Sequence, residues 1–413
     1  MKSLSPGALM SYGLFGLPMA LLALPIYVYV PQFYATHFEM SLSLIGSTLL
    51  IARVLDAFFD PMFGMWIDKQ RATNGYSLVI ALAIPLMIVG FVALFHPPQK
   101  IGTQPFFWFL GSLIVVYLGF SLASIAYQSW GAALDQSKAQ RTSITAVREA
   151  CGLIGVIIAA ALPSFTDMSA LPFLFVLTLL ITAYFLFRHA PKPELSTGAA
   201  FTLSGLMQPF RNARFRWLLA VFILNGIAAA IPATLFLFFT NDRLLLQQYA
   251  GLFLIVYFLA AALFMPLWVV LTKRHGEKKT WMIAMALAIF TFVWAYFLGA
   301  GEIAGYAVIC ILSGAALGAD LVLPPALLAV VIGKAGHIGK YSGTYFGIWN
   351  WATKLNLALA AGIALPLLQW LGYQSGGNNA AGLHALAVGY ALLPCAFKFC
   401  ALILLWRAPL NHV

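Results

Sequence analysis

The sequence predicts an all-α membrane protein of about twelve transmembrane helices, arranged as two six-helix halves. Three observations carry this expectation. Of 413 residues, 62% are hydrophobic and only 8% charged, whereas an ordinary soluble domain carries about 25% charged residues. Apolar runs such as YSLVIALAIPLMIVGFVALF (76–95) show no alternation, so helices are favoured over the strands of a closed barrel. A connector bearing Pro, Ser and Gly, HAPKPELSTGAAFTLSGLMQPFR, lies near the middle and reads as a linker.

Each crossing needs about 20 apolar residues. The first span is 9–36, too long for a signal-peptide core and without a convincing cleavage site. The second, 41–66, carries three charges. The spans 76–97, 105–133, 142–165 and 169–190 complete the first half, residues 1–190. The linker is 191–212. The second half, 213–413, holds spans 213–240, 247–272, 280–300, 303–333, 341–372 and 383–408. Four cysteines, all in apolar segments, form no disulfide framework.

Charge sets the orientation. Four bases fall inside spans: Arg53, Arg148, Lys354 and Lys398. Of the remaining nineteen, seventeen lie on one side, and only Lys100 and Arg243 on the other. The positive-inside rule then places both termini in the cytoplasm. The compact loops suit a bacterial inner membrane. Four acids also lie within spans or near their ends, Asp56, Asp60, Glu149 and Asp320, so the core is formally neutral and the net charge of +11 belongs to the loops. This charge reads as orientation rather than as a nucleic-acid face.

The buried charges point to function. A charge at a helix centre costs about 2.5–3.5 kcal/mol on insertion scales. In RVLDAFFDP (53–61), Arg53, Asp56 and Asp60 are spaced i, i+3, i+7 and share one helical face. The two acids offer oxygen ligands to a small hard cation, or a carboxylate able to carry a proton. Arg53 is placed to pair with Asp56, and Pro61 leaves the carbonyl of Ala57 without its helical donor. The plainer alternative is an ion-pair network tying helices together, but one base cannot neutralise two acids. Arg148 and Lys354, in the fifth and eleventh spans, are expected to face each other across a central pathway and to meet an anionic group on a substrate. Their alternatives are buried pairs, Lys354 with Asp320 or Arg148 with a second-span acid. Lys398 is expected to snorkel towards Arg407. Asp320 precedes Pro324 and Pro325 in a helix expected to bend.

The segment GMWIDKQR (64–71) has a loose counterpart in WVVLTKRHGEKK (268–279), at equivalent positions of the two halves. Its Gly64, Asp68 and Lys69 resemble a loop motif of the major facilitator superfamily; simple loop charge with a capping Asp is the alternative. RVLDAFFDP further resembles the R-x-x-D-A-x-x-D-P signature of the glycoside–pentoside–hexuronide:cation symporter family within that superfamily, in its melibiose permease-like form. SYG (11–13), YQSWGAALDQSKAQRTSITAVRE (127–149) and GTYFGIWNWATKLNLALAAGIALPLLQWLGY (343–373) extend the resemblance over most of the chain.

The resemblance implies a major facilitator fold and symport of a small organic solute, a glycoside, uronate or other organic anion, by alternating access. It implies a coupling cation, H⁺ or Na⁺, at Asp56 and Asp60, and no other metal or cofactor. Arg148 and Lys354 map to residues facing the central cavity. Tyr27, Gln128 and Trp130 join them as substrate-binding candidates, and Arg53, Glu149 and Asp320 as a charge network. Ala20 stands where melibiose permease-like members carry a sugar-contacting aspartate, and Ala126 near a fourth-helix aspartate. Export of amphipathic compounds or lysolipid transport on the same fold is the alternative. The partners expected are the solute and the bilayer, with the protein acting as a monomer. An enzyme is disfavoured, because the seven histidines are scattered without ligand spacing.

Overall fold

A computed structural model describes residues 5–38, 40, 42–70, 75–97, 105–134, 138–162, 170–193, 203–338, 340–373 and 379–410. The described residues are almost entirely helical and contain no strand. In order the helices are α1 Pro6–Gly13, α2 Gly16–His37, α3 Leu42–Gln70, α4 Gly75–Phe95, α5 Pro105–Leu134, α6 Lys138–Ala161 and α7 Ala170–His189. There follow α8 Leu203–Arg211, α9 Ala213–Phe238, α10 Ala250–Ala295, α11 Ile303–Lys334, α12 Ser342–Trp370, α13 Ala380–Ala387 and α14 Leu393–Arg407.

Among the described residues, nine stretches are long and apolar enough to cross a membrane. One of them, Gln247–Ala295, has 49 residues. At about 1.5 Å per residue it exceeds twice the thickness of a bilayer core. It contains the expected turn near 273–279, but the chain stays helical on both sides of a single break at Gly276, whose φ of 78° and ψ of 165° leave the helix. A side chain is strained at that positive φ, and glycine is not. Two spans thus meet at one residue. Helices α3 and α12, of 29 residues each, carry Asp56, Asp60 and Lys354 among the charged positions.

One further expectation changes and another gains detail. The first span is interrupted after Gly13, giving α1 and α2. The linker is not wholly irregular: α8 forms within it and packs against α3.

The chain forms two compact units. Unit 1 comprises Met1–Arg211 with Ile332–Trp351, and unit 2 comprises Asn212–Val331 with Ala352–Val413. The end of α11 and the start of α12 therefore belong with unit 1. In unit 1, α4 packs on α5, α2 on α6 and α3 on α5. Tyr12 donates to the carbonyl of Tyr127 at 2.9 Å, and Tyr127 donates to that of Tyr12 at 2.6 Å, tying α1 to α5. Unit 2 is built on α9 against α14 and α10 against α14. Its core includes Phe239 stacked on Tyr390 and Phe253 edge-on to Tyr306, with the Tyr306 and Tyr390 hydroxyls 2.6 Å apart. Lys278, just past Gly276, donates to the carbonyls of Trp406 and Ala408 and so caps the end of α14.

Burial differs sharply between spans. In α11, 83% of the most apolar 18-residue window is buried, against 22% of such a window within Gln247–Ala295.

In the turn between α11 and α12, His337 Nδ1 lies 2.9 Å from the Tyr345 hydroxyl. Burial, with Lys340 nearby, lowers the pKa of His337 below its ordinary 6.5. Below pH 6.5 the unfolded chain therefore binds more protons at this residue than the folded one. Stability is expected to be complete above about pH 6.5 and to fall as the pH drops through the lowered value. A series of thermal midpoints from pH 8 to pH 5 checks this. In His337→Phe the decline should be shallower than in the parent.

Candidate functional site

The stretch that raised the question of function lies in the middle of α3, and the helix solves its burial problem by dividing its faces. Val54 is 61% and Phe58 69% exposed, while Asp56 is 5% and Asp60 0% exposed. Apolar side chains thus face outwards and the carboxylates inwards, the reverse of a soluble amphipathic helix. Arg53 is half-buried on the same helix.

Asp56 accepts a 2.6 Å hydrogen bond from Ser121 of α5. Ser121, Ser124 and Gln128 recur at i, i+3, i+7 and form one polar stripe along α5. Gln128 donates to Ser124 Oγ at 2.9 Å and to Asn350 Oδ1 at 3.1 Å, and Asn350 donates to Ser124 Oγ at 3.3 Å. Asn350 lies in the part of α12 that belongs to unit 1. The α3 carboxylates, the α5 hydroxyls and the α12 amide are therefore elements of one unit. Ser121, Ser124 and Asn350 were missed in the sequence, though the spacing on α5 carried the signal.

The same face of α3 continues through Gly64 to Asp68. A Cβ at Gly64 would lie 2.2 Å from the carbonyl oxygen of Gly343, and one at Gly347 2.5 Å from that of Asp60. Only glycine lets α3 and α12 approach so closely. Asp68 then accepts from the Gly343 amide at 2.6 Å, the Thr344 amide at 2.7 Å and the Thr344 hydroxyl at 2.8 Å. It places a negative charge at the start of α12, where amides lack helical partners and the helix dipole is positive.

Arg148, on α6, pairs with its neighbour Glu149, Nε to Oε1 at 3.0 Å, and interacts with Tyr12 and Tyr127. Among the described residues its ion pair is with Glu149 and not with a second-span acid. Trp130 donates to the carbonyl of Pro191 at 2.8 Å. It also lines a cavity of about 610 Å³ with Tyr76, Ser77, Phe187 and Lys192. The side chain of Tyr27 lies outside the described residues.

In unit 2, Lys354 is half-buried on α12. Its alternative partner Asp320 is instead bonded to Lys398 at 2.6 Å. Lys398 does not snorkel; it is buried, because a carboxylate and an amide carbonyl await it inside the unit. Asp320 thus belongs to a different network from Arg53 and Glu149.

Chemically, among the described residues α3 and α5 bring oxygen ligands, two carboxylates and hydroxyls, beside the amides of Gln128 and Asn350. Such a set suits a hard cation or a proton. Ser121→Ala removes the donor to Asp56 and is expected to cost about 1–3 kcal/mol. Ser121→Thr, which keeps the hydroxyl, should remain near the parent. Thermal unfolding of the two variants checks this; equal midpoints would show that the bond contributes nothing.

A sequence model of the MFS/sugar transport protein family matches residues 11–412. The chain is 23% identical over 406 residues to the isoprimeverose transporter of Lactiplantibacillus pentosus, covering 89% of this chain and 81% of that protein. It is 20% identical over 377 residues to the human sodium-dependent lysophosphatidylcholine symporter 1, covering 80% and 69%. The fold is similar to that of a bacterial homologue of the iron transporter ferroportin in its outward-facing state, with a TM-score of 0.70, 17% identity, and 95% and 99% of the two chains covered.

Proposed function

Because this chain belongs to the MFS/sugar transport protein family, in its glycoside–pentoside–hexuronide:cation symporter group, we propose that its secondary transport is powered by a cation held at Asp56 and Asp60. The observation that carries this reading is the burial of both carboxylates on the inward face of α3, with Ser121 bound to one of them. The coupling ion is H⁺ or Na⁺; no other cofactor takes part. Arg53 offsets one of the two negative charges.

The solute is a small glycoside or uronate. Arg148, Lys354, Tyr27, Gln128 and Trp130 form the substrate-binding set, and the similarity to a glycoside transporter supports that class. Ala20 offers no carboxylate to sugar hydroxyls, and Lys354 adds a cation while Arg148 is paired with Glu149, so the preference for an anionic sugar over a neutral galactoside rests on Lys354. The six-helix halves 1–190 and 213–413 alternate access to this solute. The protein works as a monomer in a bacterial inner membrane with both termini cytoplasmic, as its loop charges favour. A second reading, movement of a lysolipid, is favoured by the similarity to a lysophosphatidylcholine symporter over most of both chains.

A stabilisation screen of purified protein separates the two. Isoprimeverose, melibiose, glucuronate and lysophosphatidylcholine are each tested with and without Na⁺, at pH 6 and pH 8. The expected result is a rise in thermal midpoint with glucuronate or isoprimeverose that depends on the cation. Stabilisation by lysophosphatidylcholine alone would move the assignment to the lipid reading. Robust binding of melibiose that survives Lys354→Ala would remove the preference for an anion.

A further inference from the structure

Unit 2 holds a second set of buried charges, in which Asp320 of α11 is the centre. It accepts from Lys398 of α14 at 2.6 Å, from Trp281 of α10 at 2.8 Å and from Asn225 of α9 at 3.2 Å. Lys398 also donates to Asn225 at 2.9 Å, which closes a ring of three side chains. The Asp320 and Lys398 side chains are each 10% exposed. One acid meets one base, and every group in the ring is hydrogen-bonded. The lysine ammonium already stands where a coupling cation would have to bind. This set therefore differs in kind from the α3 carboxylates, where acids outnumber the base.

The position of the ring along α11 matters. Pro324 and Pro325 follow Asp320 within about one turn and lack amide protons, so the carbonyls of Asp320 and Leu321 lose their helical donors. The arm before this break is tightly held. Cβ atoms at Gly314 and Gly318 would lie 2.3 and 2.6 Å from the carbonyl oxygens of Tyr257 and Ala261. The arm after it, Ala326–Lys334, stays in unit 2 as far as Val331 and enters unit 1 only at Ile332. The helix stays continuous through the prolines, and the gap in its hydrogen-bond ladder lies inside unit 2, ahead of the last residues, Ile332–Lys334, that belong to unit 1.

We propose that the Asp320–Lys398–Asn225 ring, with Trp281 bonded to Asp320, is an ionic pin that holds the first arm of α11 in unit 2, while the proline pair uncouples the second arm so that the two arms move separately. Asp320 and Lys398 are positioning residues and carry no coupling ion. Four helices meet at the pin, so it acts on the helix that links the units without touching the α3 carboxylates.

The test needs no substrate. Asp320→Asn, Lys398→Gln and the double variant are purified in nanodiscs, and amide hydrogen exchange is measured along α11. Either single change leaves a buried charge without its partner, and folded yield should fall about tenfold or more. The double variant removes both charges and keeps polar groups of similar shape, so its yield should return close to that of the parent. Its exchange should rise about tenfold over Ile303–Ala319 and stay unchanged over Ala326–Lys334. In the same variant carrying Pro324→Ala and Pro325→Ala, the rise should spread to both arms. Exchange that rises equally in both arms with the prolines intact, or in neither, overturns the proposal. So does a sodium- or pH-dependent shift in midpoint that the double variant abolishes while Asp56 and Asp60 are intact. Should the double variant not fold, Trp281→Phe removes one bond to Asp320 and keeps the charges. A smaller rise confined to the first arm supports the pin, and no rise there overturns it.

Discussion

Asp60→Asn is expected to abolish gradient-driven accumulation while leaving downhill exchange of the solute and the folded yield in place. Asp56 and Asp60 stand one helical turn apart, where side chains are about 5–6 Å from one another. With an effective dielectric constant of about 20, two like charges at that distance repel by about 3 kcal/mol. Binding a cation relieves that repulsion, and about 3 kcal/mol corresponds to about a hundredfold preference for the occupied state. The substituted amide carries no charge to be relieved, so the gradient would lose its hold on the conformational equilibrium. Asp56→Asn should act in the same direction, although its amide oxygen still accepts from Ser121. The measurement is accumulation, in proteoliposomes with imposed Na⁺ or pH gradients, of the solute that the stabilisation screen selects. Accumulation that survives both substitutions would leave the carboxylates as structural ion-pair members.

The second large effect is expected from Asp68→Ala. Three hydrogen bonds converge on this carboxylate, two of them from amides at the start of α12. Each is charge-assisted, and the helix dipole adds to them. Their removal should cost about 2–4 kcal/mol of stability in unit 1. It should also raise hydrogen exchange at Gly343 and Thr344 before any other part of α12. Asp68→Asn keeps an acceptor for one amide but turns its own N–H groups towards the other donors, so it should recover less than half of the loss. Gly64→Val should resemble Asp68→Ala, because it drives the two helices apart by steric contact. Unchanged exchange at Gly343 and Thr344 in Asp68→Ala would show that α12 begins without help from α3.

Helix α3 was readable in the sequence because one face carries its whole pattern. Leu50, Val54 and Phe58 alternate in angle with Asp56 and Asp60, and the structure exposes the former and buries the latter. The partners of isolated charges were not readable. Asp320 and Lys398 are 78 positions apart, and helical spacing says nothing about which distant span supplies a counter-ion. The partner of Arg148 was hidden for the opposite reason. Adjacent positions in a helix point about 100° apart and do not face each other, yet the long arginine side chain reaches back to Glu149. Local composition gave no sign of structure within the connector: Pro, Ser and Gly suggested a linker, and packing against α3 supports a nine-residue helix, α8, inside it. At Gly276 a basic polar run suggested a loop, but one positive φ suffices to turn the chain.

The contrast in burial between α10 and α11 has a consequence for how the chain accepts change. A side chain on the open surface of Gln247–Ala295 needs to be apolar, but its shape is matched by nothing solid, since lipid tails rearrange around it. Leu, Ile, Phe and Val should be interchangeable there. Along residues 313–332 of α11 no side chain is exposed, so one methylene group more or less is felt. A library of random apolar replacements would therefore return dense survivors in the first segment and few in the second, although both have nearly the same hydropathy, 2.5 against 2.1. Two spans that hydropathy cannot tell apart would thus be separated by their tolerance.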